Sequence, residues 1–182
     1  MDITDEGLVL TDRLPVSVQV LDTLPEKYEL AVADQENESF LKTSLVWQEP
    51  VDLDDLDQVG QELRRQDLKI SLLLEMMSEL LAQNNTIPKP RKLKLSTKGL
   101  AFGSGTVELN AGQQVSVMIY IVPSFPKALK LYGEIHKSED GKVTMIAFEG
   151  VSQSVKDALD KLIFRHHRRE VAMVRRLQLI HG

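Results

Sequence analysis

The densest set of chemically capable side chains lies near the C-terminus, where Arg165, His166, His167, Arg168 and Arg169 are followed by Arg175 and Arg176. Such a cluster either holds an anion or forms a helix surface that pairs with acidic groups elsewhere in the assembly. His166 and His167 are neighbours, so on a helix their rings point about 100° apart and cannot share a metal as an i, i+4 pair does. Together with His136 in a predicted strand, they read as solvent or interface histidines. Asp52, Asp54, Asp55 and Asp57 suggest a calcium loop, which needs Gly at its sixth position and Glu at its twelfth. Counted from Asp52, those positions hold Asp57 and Leu63. The run Gly99–Gly105 has neither the following helix nor the closing Gly-Lys of a phosphate loop, and reads as a turn-rich hairpin. The chain has no Cys, which removes thiolate metal sites, disulfides and Cys nucleophiles. No Ser-His-Asp or paired-carboxylate arrangement stands out. No enzymatic activity, metal or cofactor is expected.

The elements that must position these residues begin with a long helix. Between Leu56 and Asn84 one register fits an unbroken heptad, with Leu56, Leu63, Ile70, Met77 and Asn84 at a and Val59, Gln66, Leu73 and Leu80 at d. An apolar stripe of period 3.5 lets a helix face another helix along a supercoil seam. The pattern predicts a helix over about 52–84, roughly 50 Å long at 1.5 Å per residue. The domain that follows, about 90 residues, is only about 30 Å across, so it cannot cover that helix. A shorter helix over about 27–46 could cover part of it as an antiparallel hairpin; the rest of the stripe points to other chains. Leu74 and Leu81 at e, Met76 at g and Leu72 at c broaden the apolar surface, which suits more than two strands or one seam plus intrachain packing. Gln66 is polar at a d position and reads either as a tolerated flaw or, the favoured reading, as a register lock.

The remaining chain divides into an N-terminal arm over 1–25, with a possible strand at Val16, Val18 and Val20, and a strand-rich unit over 88–182. Strand candidates in that unit are 91–95, 100–102, 107–109, 114–122, 129–137 and 142–149. Alternation at Val115, Val117, Ile119 and Ile121 is clean, and turn signals separate the runs. Short strands at this spacing indicate a small antiparallel barrel or sandwich. A final helix is expected over about 152–180, with Val155, Leu159, Leu162, Ile163, Met173, Leu177 and Ile180 on its apolar face. The helical region occupies 26–87. In the first helix Leu30, Ala33, Asn37, Phe40, Leu41, Ser44 and Leu45 share one face.

Charge is uneven. Residues 1–62 carry 16 Asp/Glu against 3 Lys/Arg, a balance of −13, and residues 63–182 carry +8. The acidic half would be repelled by DNA, so a nucleic-acid partner is not expected. The acidic N-terminus is not a secretory signal, and no apolar stretch reaches about 18 residues, so a soluble, cytoplasmic protein is expected.

Several segments carry a resemblance. Residues 91–102 (RKLKLSTKGLAF), the segment GQQVSVMIYI at 112–121, LYGEIHK at 131–137, KVTMIAFEGVS at 142–152 and ALDKLIFRHHRRE at 158–170 resemble the PilZ domain. The resemblance implies a six-stranded antiparallel barrel followed by a helix, a receptor for cyclic di-GMP, and hence an α+β chain with a coiled-coil region before the barrel. The long helix resembles a non-canonical PilZ branch that assembles as a tetramer. Nucleotide-binding members carry R-x-x-x-R ahead of the barrel and D/N-x-S-x-x-G at its start. Here the second motif reads Lys94, Leu95, Ser96, Thr97, Lys98, Gly99, with Lys in place of the base acceptor, and no R-x-x-x-R precedes it. A bridged dinucleotide calls for planar, bidentate arginine donors. Losing two of them and an acceptor removes on the order of 4–8 kcal/mol, several decades of affinity. The expectation is a homo-oligomeric bacterial adaptor that acts through other signalling proteins and binds cyclic di-GMP weakly or not at all. A residual nucleotide site would use Arg91, Lys94, Ser96, Lys98 and Gly99. The alternative is a true receptor built on those residues, and Arg165, Arg168, Arg169, Arg175 and Arg176 form a second possible anion or partner patch.

Overall fold

The computed structural model describes residues 7–47, 58–84, 87–104, 109–122, 125, 127–137 and 141–180, with Trp47 and 173–180 described by backbone only. Six strands form a closed barrel: β1 (Leu10–Leu21), β2 (Pro90–Leu95), β3 (Gly99–Gly103), β4 (Gln114–Ile119), β5 (Leu129–Lys137) and β6 (Val143–Glu149). Their order around the barrel is β1-β2-β3-β6-β5-β4, and every neighbouring pair is antiparallel. Helices α1 (Lys27–Trp47) and α2 (Gln58–Gln83) are inserted between β1 and β2, and α3 (Gln153–Ile180) ends the described chain.

β1 closes the barrel, and residues 88–182 alone supply only five of the six described strands. The first half of β1 pairs with β2 from Leu10↔Leu95 to Pro15↔Pro90. The second half pairs with β4 from Val16↔Ile119 to Leu21↔Gln114. Pro15 sits where the partner changes, a place where a residue without an N–H interrupts least. The expected strand at 107–109 falls largely outside the described residues; Leu109 is buried but lies in no strand.

Period-2 alternation fills the barrel. Leu10, Leu14, Val16, Leu93, Leu95, Leu100, Val117, Ile119, Leu131, Ile135 and Ile146 point inward and are buried. The same core takes Phe40 and Leu41 from α1 and Val155, Leu159, Leu162 and Ile163 from α3. The buried side of α1 is the face read from the sequence, including Ala33, Asn37 and Ser44.

Polar links fix the two docked helices. Asn37 Nδ2 donates to the Lys130 carbonyl at 2.7 Å, and its Oδ1 accepts from the Lys130 N–H at 3.0 Å. β6 pairs with β5 only from Tyr132 onward, so at Lys130 this amide takes the place of a neighbouring strand. Ser152 caps α3, its Oγ accepting from the Val155 N–H, while Asp34 Oδ1 accepts from the Ser152 N–H at 3.0 Å. Glu38 accepts from the Ser154 hydroxyl, and Arg165 donates to the Leu45 carbonyl in the last turn of α1. Pairs 34–152, 38–154 and 45–165 advance together, so α1 and α3 run side by side in the same direction.

Candidate functional site

Of the residues expected to form a residual nucleotide site, Ser96, Lys98 and Gly99 share one turn and Arg91 stands at the other end of β2. Ser96 is buried and turned into its own hairpin: its backbone N–H donates to the Gly99 carbonyl at 2.9 Å, and its Oγ accepts from the N–H groups of Lys98 and Gly99, both at 3.2 Å. That is a side-chain-stabilised turn joining β2 to β3. The Lys98 carbonyl accepts from Phe148 N–H, which ties the turn to the end of β6. Lys94 stands on the outer face of β2. Arg91 shares the inward parity of Leu93 and Leu95 at the far end of the strand, its guanidinium 5.2 Å from the centre of the Phe102 ring. Five residues of strand put Arg91 about 16 Å from Ser96. One spot with two arginine forks is therefore not built from these residues.

The basic cluster on α3 is divided. Arg165 satisfies a carbonyl at the end of α1, which suits a cation near a helix C-terminus. His166 Nε2 lies 3.1 Å from Asp12 Oδ2, and His167 Nε2 lies 2.8 Å from the Val9 carbonyl, so both rings fasten α3 to the start of β1. The expectation of solvent or interface histidines holds for His136, which is exposed, but His166 and His167 join elements within the chain. The carbonyl can only accept, so His167 Nε2 carries the hydrogen. Arg168 and Arg169 are exposed on the part of α3 beyond these ties, and the side chains of Arg175 and Arg176 lie outside the described residues. Among the described residues no group of three or more His, Asp or Glu could hold a metal, and no helix is long and apolar enough to cross a membrane.

On α2 every described a, c, d, f and g position is exposed, and only b and e hold less exposed residues. At b and e, Gly60, Arg64, Ser71, Leu74 and Leu81 are half-buried and Ser78 is buried. At a and d, Val59, Leu63, Ile70, Leu73, Met77 and Leu80 are between 49 and 65 % exposed. Leu72 and Met76 widen this bare surface. Gln66 donates to Glu62 one turn back, at 3.0 Å. Leu56 and the acidic run 52–57 lie outside the described residues; Asn84 is exposed just past the end of α2.

Sequence reasoning missed four anchoring residues. Asp12, Asp34, Asn37 and Glu38 each bind a partner far along the chain. Only Asn37 gave a signal, as an amide among apolar residues on the inner face of α1.

The architecture is a closed antiparallel barrel sealed by α3, with an exposed helix inserted before its second strand. The family model for the atypical PilZ domain, described as a cyclic di-GMP receptor, matches residues 45–176, and the chain belongs to that family. A similar solved structure is a pathogenic protein from Xanthomonas campestris, described as a new tetrameric PilZ domain self-assembled via an unusual helical bundle. It is 20% identical with a TM-score of 0.65, and the match covers 92% of each chain. No curated protein matches the chain.

Proposed function

We propose that this chain is a non-enzymatic bacterial signalling adaptor of the cytoplasm. It self-associates through the a/d face of α2, most economically as a tetramer, and acts by contacts with other signalling proteins. Cyclic di-GMP binds weakly or not at all. The observation that carries this reading is the exposed heptad row from Val59 to Leu80. Full burial of each such side chain is worth roughly 1.5–3 kcal/mol, so copies of the chain gain by covering the row together. The four-chain assembly of the Xanthomonas protein supports the number.

Light scattering tests it. The full chain should sediment and scatter as an oligomer at micromolar concentration, and Leu73→Lys with Ile70→Lys should release a folded monomer. A monomeric wild-type chain at that concentration defeats the proposal.

The family description favours a second reading, a cyclic di-GMP receptor that uses Arg91, Lys94, Ser96, Lys98 and Gly99. Calorimetry separates the two. Micromolar or tighter binding lost in Lys98→Glu supports the receptor. Ser96→Ala is the poorer probe, since that hydroxyl also holds the turn.

A further inference from the structure

We infer that the outer face of β1 and β2 docks an extended, acidic segment of a partner protein. With Leu10, Leu14, Leu93 and Leu95 pointing inward, Thr11, Arg13, Lys92 and Lys94 point outward, and all four are exposed. Arg13 is directly opposite Lys92, and Thr11 is opposite Lys94. Directly opposed residues have Cα atoms about 5 Å apart, and alternate residues along a strand lie about 6.7 Å apart. Three cations therefore occupy one short strip.

Nothing on the described part of the molecule neutralises the strip. Among the described residues no carboxylate pairs with Arg13, Lys92 or Lys94. Asp12, next to Arg13, turns the other way, toward His166. The adjacent strand offers Ala101 beside Lys94, and then Gly103. Like charges directly opposed across a ladder oppose folding. A chain with 27 acidic residues has an abundant alternative for that position. The arrangement fits a negative group supplied from outside.

The spacing selects the occupant. An extended polypeptide with a carboxylate at every second residue repeats at about 6.7 Å, the repeat of Lys92 and Lys94. Gly103, where a built Cβ would meet nothing within 4 Å, leaves room for its backbone. A phosphate ligand calls for convergent planar forks, and this strip holds one arginine and two lysines in a row. None of these residues lies on α2, so the inference stands apart from self-association.

Fluorescence anisotropy on the full chain tests it, with a labelled peptide alternating Glu and Thr and a second of the same composition with its Glu residues in one block. Micromolar binding of the alternating peptide is expected, at least tenfold tighter than the block peptide and weakening as salt rises. Lys92→Glu and Lys94→Glu should each weaken it tenfold or more, while Lys161→Glu on α3 should leave it unchanged. Lys92→Glu should also raise the melting temperature, since it gives Arg13 an opposite charge. Equal affinity for both peptides, or binding insensitive to Lys92→Glu, overturns the inference. So does tighter binding of polyphosphate or RNA than of the alternating peptide.

Discussion

Gly133 is the position where the barrel leaves no room for a side chain. A Cβ built there would fall 2.1 Å from the Ala147 carbonyl oxygen and 2.9 Å from its carbon, both backbone atoms of the neighbouring strand. Relief requires parting β5 from β6. Gly133→Ala should therefore cost about 2–3 kcal/mol, measured as a lowered urea midpoint. Two carboxylates on the docked helices titrate with opposite signs. Hydrogen bonds from Lys42 and Ser154 hold Glu38 below its ordinary range, so its contribution to stability is present at neutral pH and is lost as pH falls through the folded value. Burial first, and then Asp157, push Asp160 up from about 3.8. Its charged form opposes folding above the folded value, and protonation relieves that. Asp160→Asn should raise the melting temperature at pH 7, and the gain should vanish by pH 3. At this scale the sequence showed Ser96 and Gly99 as a pair but not their purpose, because a serine that holds its own turn and a serine that meets a ligand share one spacing.

Periodic elements were the most legible because their signal is local. The helix of α2 and the mixed face of α1 could both be counted along the chain; a helix stands at Gln58–Gln83, and the face of α1 is the buried one. The a/d row of α2 is exposed, as are c, f and g; Leu74 and Leu81 at e, counted in the sequence with the broad apolar surface, are half-buried on the side that holds Ser71 and Ser78. The paired lysine substitutions at Ile70 and Leu73 belong to this scale. They change side chains that touch no barrel residue in the described structure, so a smaller particle with an unchanged melting profile for the barrel is the expected outcome. The basic cluster of α3 was legible as a cluster but not in its division. Arg165, His166 and His167 meet a carbonyl, a carboxylate and a second carbonyl that lie more than a hundred residues away in sequence.

The least legible feature belongs to the whole molecule. β1 reads as an arm because its partners are remote: Leu10 pairs with Leu95, and Val16 pairs with Ile119. A pattern of Val16, Val18 and Val20 signals a strand and says nothing of what it joins. The consequence is testable. Residues 88–182 alone lack β1 and the Phe40–Leu41 contribution to the core, and expose the edges of β2 and β4. That fragment should show no cooperative thermal transition by circular dichroism and should aggregate, whereas the full chain melts cooperatively. The uneven charge also resolves at this scale, in part. Asp34 and Glu38 meet the start of α3, where the helix dipole favours them, and Asp12 meets His166.

The insertion of α1 and α2 between β1 and β2 also sets an order of events during synthesis. The ribosome releases β1 first, then both helices, and only about a hundred residues after Val16 does the strand carrying Ile119 emerge. Sheets whose partners are so distant form slowly, while helices form in microseconds or less. On the proposed self-association, the greasy side of α2 is thus available to sister chains on the same message before any barrel can shut. Subunits born together would be matched at birth, and mixing two differently tagged versions after purification should give few hybrids compared with producing them in one cell.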